Sequence, residues 1–116
     1  MNESTENVQI QFIKGQNEKD QPEIRLFRNP DRKRGKAIYK FLKPKTVTIE
    51  NFKSVKKMYL IDVEGELSTR NIDLTISKDL VKQVESTYNW NSEEEFERFM
   101  RFASRYANSL NSNLNI

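Results

Sequence analysis

A chain of 116 residues has room for one domain with one core, burying roughly two-thirds of the surface that its unfolded form exposes. Charged residues make up 32% and hydrophobic ones 35%, which predicts a thin-cored, soluble fold, while 10% aromatic residues supply large core pieces and argue against wholesale disorder. The formal net charge is +3; there is no cysteine for a disulfide or thiolate and no histidine for proton transfer near neutral pH, and no run reaches the ~20 apolar residues of a membrane-spanning helix.

The opening MNESTEN is polar and acidic, unlike a secretory or transit segment, and residues 1–7 read as a disordered tail. In "VQIQFI", Val8, Ile10 and Phe12 alternate with Gln9 and Gln11, the period-2 pattern of a half-buried strand. Past a polar turn around Gly15, "EIRLFR" sets Ile24 and Leu26 against Glu23 and Arg25. The loop "NPDRKRG" returns the chain into "KAIYKFL", where Ala37, Tyr39 and Phe41 share a face. Turn formers at Asn29, Pro30 and Asp31, with Gly35 free to take positive φ, predict a hairpin with a long basic tip.

Pro44 closes that strand, since proline donates nothing to a ladder. "TVTIENF" and "KMYLIDV" read as two more strands, and Gly65 in "DVEGE" as a tight turn. "LSTRNIDLTIS" alternates through Leu67, Ile72, Leu74 and Ile76, and "LVKQVESTYNW" ends the sheet region at Trp90.

From Asn91 the period changes. Ser92 followed by Glu95 is a capping box, and a helix is expected over residues 92–108, with 109–116 as a frayed tail. On a 3.6-residue wheel Phe96, Phe99, Met100, Ala103, Tyr106, Ala107 and Leu110 form one apolar stripe, with Phe102 off its edge and Arg98, Arg101 and Arg105 opposite. Glu94–Arg98 and Glu97–Arg101 are spaced as i,i+4 ion pairs. Burying Phe96, Phe99, Met100 and Tyr106 is worth on the order of 6–12 kcal/mol, so the stripe belongs to the core and the arginine face is left free to function. The predicted class is mainly β, bordering on α+β. A single domain over residues 8–108 forms an antiparallel, sandwich-like sheet meander closed by a C-terminal amphipathic helix.

Chemistry is sparse. From Arg28 to Lys57 eleven basic residues face Asp31 and Glu50, a strip that with Tyr39, Phe41 and Phe52 resembles a track for single-stranded nucleic acid. Those aromatics are in phase with the core, so solvated lysine on the outer face of a sheet is the simpler reading; a basic surface on an anionic membrane leaflet is a third. Asp62, Glu64 and Glu66 fit a turn better than a cation site, and Glu93, Glu94 and Glu95 complement a helix dipole. No nucleophile elbow, phosphate loop or dinucleotide fingerprint occurs, so no enzyme activity and no cofactor or metal is expected.

Three blocks, "IQFIKG", "MYLIDVEGELSTR" and "FERFMRFASRYA", resemble the small extrinsic photosystem II proteins of the Psb series numbered twenty-eight, over nearly the whole span from Val8 to Asn108. The loop "NPDRKRGKA" is more basic than is usual there, and the tail lacks the usual glycine-containing ending. The resemblance implies a β sandwich with a C-terminal helix, no cofactor, and no catalysis. It also implies transient, protective attachment to the stromal or cytosolic face of an immature photosystem II, near the inner antenna PsbB and neighbouring reaction-centre loops. The richness in Asn, Lys and Ile suggests an AT-rich plastid genome such as a red alga's, hence a protein peripheral to the chloroplast thylakoid on its stromal side. On this reading an open sheet edge takes the PsbB C-terminal tail as an added strand. Arg32, Lys33, Arg34 and Lys36 of the hairpin, with Arg98, Arg101 and Arg105 of the helix, orient the domain on its partner. A free edge also permits a weak homodimer.

Overall fold

The computed structural model describes residues 8–31 and 33–114, with side chains as far as Leu110. The expected tail over residues 1–7 lies outside the described residues. Eight strands and one helix follow in order: β1 (Gln9–Ile13), β2 (Gln16–Asn17), β3 (Glu23–Arg28), β4 (Gly35–Phe41), β5 (Met58–Asp62), β6 (Gly65–Thr69), β7 (Ile72–Ser77), β8 (Leu80–Trp90) and α1 (Glu93–Leu114). They form two antiparallel four-stranded sheets, β2-β1-β5-β6 and β3-β4-β8-β7. The expected sandwich and closing helix are therefore present. Within it, consecutive hairpins are interleaved, since β1 pairs with β5 and β4 with β8.

Alternation explains the central strands. Ile10 and Phe12 of β1, Ala37, Tyr39 and Phe41 of β4, Met58 and Leu60 of β5, and Val81 and Val84 of β8 all point into one buried cluster. Phe12 and Phe41 meet edge to face across the two sheets, their ring centroids 5.0 Å apart. A corner between β6 and β7 joins the layers: Thr69 Oγ1 donates to the Thr87 carbonyl at 2.7 Å, and the Thr87 amide donates to the Asn71 carbonyl at 3.0 Å.

The helix closes the sandwich. Phe99 stacks on Trp90 and Tyr88 and meets Tyr39 edge-on, while Phe96 leans on Trp90. Phe102, expected off the stripe's edge, is instead fully buried and stacks on Tyr106, whereas Ala107 of the expected stripe is exposed. The stripe is rotated because the helix faces two layers at once. The cap is as expected in kind: the Glu95 amide donates to Ser92 Oγ, and the Glu95 carboxylate accepts from the Asn91 amide, one residue earlier than a standard box. The helix runs past the expected end at 108 to Leu114, and Leu110 still packs against the core.

Two expected strands differ. "TVTIENF" is an irregular loop ending in a short 3-10 turn at Phe52–Ser54. Its β-branched residues are overruled by side-chain bonds: Asn51 Oδ1 accepts from the Thr48 amide and Asn51 Nδ2 donates to the Thr46 carbonyl, while the buried Glu18 accepts from both the amide and the hydroxyl of Thr46. "LSTRNIDLTIS" is two strands in different sheets, broken at the corner. Gly65 takes positive φ next to the expected tight turn, whereas Gly35, where positive φ is expected from the sequence, does not. Gly35 is needed for close approach: a Cβ there would strike the Phe27 carbonyl and lie 2.6 Å from the Trp90 ring.

Candidate functional site

The strand β3 forms six consecutive pairs with β4, from Glu23–Lys40 to Arg28–Gly35, and has no neighbour on its other side among the described residues. Its outward-pointing backbone groups are therefore unpaired by the sheet, the arrangement that accepts an added strand. The alternation in "EIRLFR" leads one to expect a half-buried strand, yet all six residues are exposed, because β3 lies at the margin of the sandwich. Ile24, Leu26 and Phe27 are 39%, 50% and 40% exposed. Three large apolar side chains on an unpaired edge form a surface suited to a partner.

Basic groups surround this edge. The Arg25 guanidinium and the Lys36 ammonium both stand over the Phe27 ring, 5.5 and 5.6 Å from its centroid. Arg28 lies 3.9 Å over the Phe96 ring and so ties the end of β3 to the helix. At the hairpin tip Asp31 accepts from the Lys33 and Arg34 amides and from Arg34 Nε, bonds that hold its carboxyl below the usual range. Arg34 is thus partly neutralised, while Lys33 and Lys36 make no ion pair among the described residues. Arg32 lies outside the described residues. Beneath the tip is a cavity of about 280 Å³ lined by Phe27, Asn29, Arg34, Lys36, Asn89 and Trp90 among others.

The other predicted cluster is differently placed. Arg98, Arg101 and Arg105 do not form a free face, and the expected pairs with Glu94 and Glu97 are absent among the described residues. All three arginines reach across to the β5–β6 turn. Arg98 grips Asp62 with two bonds, of 2.7 and 2.9 Å. Arg101 grips Glu64 likewise, and Arg105 bridges Asp62 and Glu64 at 2.9 and 2.7 Å. A bidentate long-range carboxylate outcompetes an exposed i,i+4 partner. Burial pushes the Asp62 carboxyl up, but bonds from Arg98, Arg105 and the Glu64 amide outweigh it and leave it below its ordinary value. Arg101 and Arg105 bring Glu64 down to about 2. The turn that sequence reading weighed as a cation site is the helix's clasp, and no cluster of possible metal ligands occurs among the described residues.

Two further expectations meet the structure here. Tyr39 and Phe41 are completely buried, so they offer no platform on which nucleic-acid bases stack. No helix among the described residues is long and apolar enough to cross a membrane.

The family model described as "Psb28 protein" matches residues 10–114. Among similar curated proteins, the "Photosystem II reaction center Psb28 protein" of Prochlorococcus marinus (strain NATL2A) is 74% identical over 113 residues, covering 97% of this chain and all of the relative. Proteins of the same name from Prochlorococcus marinus (strain MIT 9211) and Synechococcus sp. (strain CC9902) are 44% and 40% identical, covering 92% and 94% of this chain and 92% and 83% of those relatives. These relatives are cyanobacterial, so the expected plastid setting takes no support from them.

Proposed function

This chain belongs to the Psb28 family, and from that premise we propose that it is a non-catalytic accessory factor of photosystem II assembly. It attaches transiently to the stromal or cytosolic face of the immature complex, near the inner antenna PsbB, and shields that intermediate until later components arrive. The protein sits peripherally on the thylakoid, in a plastid or in a cyanobacterial cell.

The observation that carries this reading is the β3 edge: six residues paired on one side only, with Ile24, Leu26 and Phe27 exposed along them. An extended tail, such as the PsbB C terminus, adds there as a further strand; main-chain bonds supply affinity and the apolar side chains select the partner. Lys33, Arg34 and Lys36 at the adjoining tip, together with Arg32, steer an acidic partner toward the edge. Arg98, Arg101 and Arg105 act at one remove, by fixing the β5–β6 turn against the helix, because all three are engaged by Asp62 and Glu64, whose two charges offset two of their three. Until a partner arrives, the same edge supports weak pairing with a second copy.

The test is an NMR titration of labelled protein with a synthetic PsbB C-terminal peptide at low and physiological salt. Shifts confined to β3 and β4, with new slowly exchanging amides on β3, are expected. Absence of shifts at millimolar peptide rejects strand addition and leaves a composite surface of the assembled complex as the target. Binding of labelled single-stranded nucleic acid with a steep salt dependence, and none of the peptide, would favour the basic-strip reading instead.

A further inference from the structure

At the end of the β3-β4-β8-β7 sheet opposite the basic hairpin tip, the segment following β4 and the β7–β8 turn enclose an open apolar groove of about 330 Å³. It is lined by Leu42, Lys43, Pro44, Lys45, Leu80 and Lys82, with Val81 as its floor. Leu42 and Leu80 are 48% and 60% exposed and line the same groove, so they form a joint apolar patch. Lys43, Lys45, Lys78 and Lys82 stand exposed around them, and none makes an ion pair among the described residues. We propose that this end of the sheet is a lipid-docking surface, in which Leu42 and Leu80 enter the interfacial layer of an anionic bilayer while the four lysines contact its phosphate or sulfonate headgroups.

Three features of the backbone support it. The loop bearing Leu42 is held rigidly, because Asp20 accepts from the Lys43 amide at 2.9 Å and Glu18 from the Lys45 amide at 2.7 Å. Those two carboxylates bond to the backbone of the loop and do not line the groove, but they keep their charge, so with Asp79 they offset three of the four lysines and leave the rim with a small positive excess. On β8 the register passes from Thr75–Gln83 to Ile76–Val81, so Lys82 is the extra residue of a bulge, the device that re-aims a side chain. Lys78, in the two-residue β7–β8 turn, adopts φ 57, a conformation that glycine or asparagine takes far more readily, so the turn holds a lysine where local geometry disfavours one.

A short apolar tip ringed by lysine is the composition of an interfacial anchor: leucine gains by leaving water, and each lysine gains from the negative surface potential. A soluble acidic peptide accounts for the lysines but not for two exposed leucines at the rim. The inference rests on the reading that the protein works at a photosynthetic membrane, and it places the lipid contact and the β3 partner edge on separate parts of one domain.

The test is cosedimentation of the purified protein with phosphatidylcholine vesicles containing phosphatidylglycerol, against vesicles of phosphatidylcholine alone. Binding to the anionic vesicles, weakened by salt, is expected. The pair Leu42→Ser and Leu80→Ser lowers partitioning by about tenfold or more per leucine, and Lys43→Glu with Lys82→Glu by about fivefold or more per lysine, with unchanged thermal midpoints. Lys33→Glu with Lys36→Glu, at the far end of the sheet, leaves vesicle binding intact. No vesicle binding, equal binding to neutral vesicles, or wild-type binding by both groove variants overturns the proposal. Because no photosystem II is present, a protein that ignores vesicles but still takes the PsbB peptide overturns this inference alone.

Discussion

The guanidinium of Arg98 lies fork to fork on the carboxylate of Asp62, with bonds of 2.7 and 2.9 Å that join the first turns of the helix to the end of β5. Asp62 is fully buried at its side chain, and Arg98 is largely so. Removing one partner therefore strands the other charge with little water to replace it, which is the costly way to break such a pair.

Asp62→Ala is accordingly expected to destabilise the fold by about 2–4 kcal/mol, since both Arg98 and Arg105 lose their shared acceptor. Urea unfolding measures it. Glu64→Gln, at a more exposed site, costs clearly less. Equal effects of the two would mean that the clasp is held by Glu64 and Arg101 instead.

The same cluster fixes the acid limb of stability. Asp62 and Glu64 both have carboxyls below their ordinary values of 3.8 and 4.5, Glu64 at about 2. The unfolded chain thus takes up protons first as pH falls, so the stabilisation is complete above about pH 5 and is lost progressively toward pH 2. Thermal midpoints should fall through that window, and fall less steeply in Glu64→Gln. On the alkaline side burial raises Tyr106 to about 12, so stability is lost as pH rises from its ordinary value of 10 through 12.

Gly35→Ala tests close approach without any charge. The added methyl meets the Phe27 backbone and the Trp90 ring, and backbone cannot step aside as a flexible side chain would. A loss of about 1–3 kcal/mol is expected, with chemical-shift changes concentrated at Phe27 and Trp90. A neutral substitution would show that Phe27 and the Trp90 ring can move away from β4 at no cost.

Legibility in the sequence followed the range of the forces involved. Alternation in "KAIYKF" and "MYLID" is local and reports burial directly, so Ala37, Tyr39, Phe41, Met58 and Leu60 were readable as core. The cap at Ser92 is local as well. Ile24 and Leu26 alternate just as well and are nevertheless exposed, because the position of a strand within a sheet is a property of the topology and leaves no trace in that strand's own residues. Thr46 to Phe52 has β-branched composition, but bonds from Glu18, 28 residues earlier, hold it out of the sheets. The arginines of α1 carried a helical spacing that fitted Glu94 and Glu97, and only the folded chain brings Asp62 and Glu64, up to 43 residues away, within their reach. The acidic half of that cluster was visible as "DVEGE" and the basic half as a face of the helix; their pairing was not.

Separation of edge from charge gives the last prediction. Leu26 is half exposed, so Leu26→Lys should change stability by no more than about 0.5 kcal/mol while placing a solvated cation in the middle of the open edge. Loss of its apolar contact with an added strand lowers peptide affinity about tenfold, chiefly through faster dissociation. Lys33→Glu with Lys36→Glu acts on another step: steering is lost, so association slows and its salt dependence shrinks while dissociation changes little. Stopped-flow binding of the PsbB tail peptide at two ionic strengths distinguishes the two. If Leu26→Lys leaves dissociation untouched, the peptide does not lie along β3, and β7, the other margin of the same sheet, becomes the edge to examine.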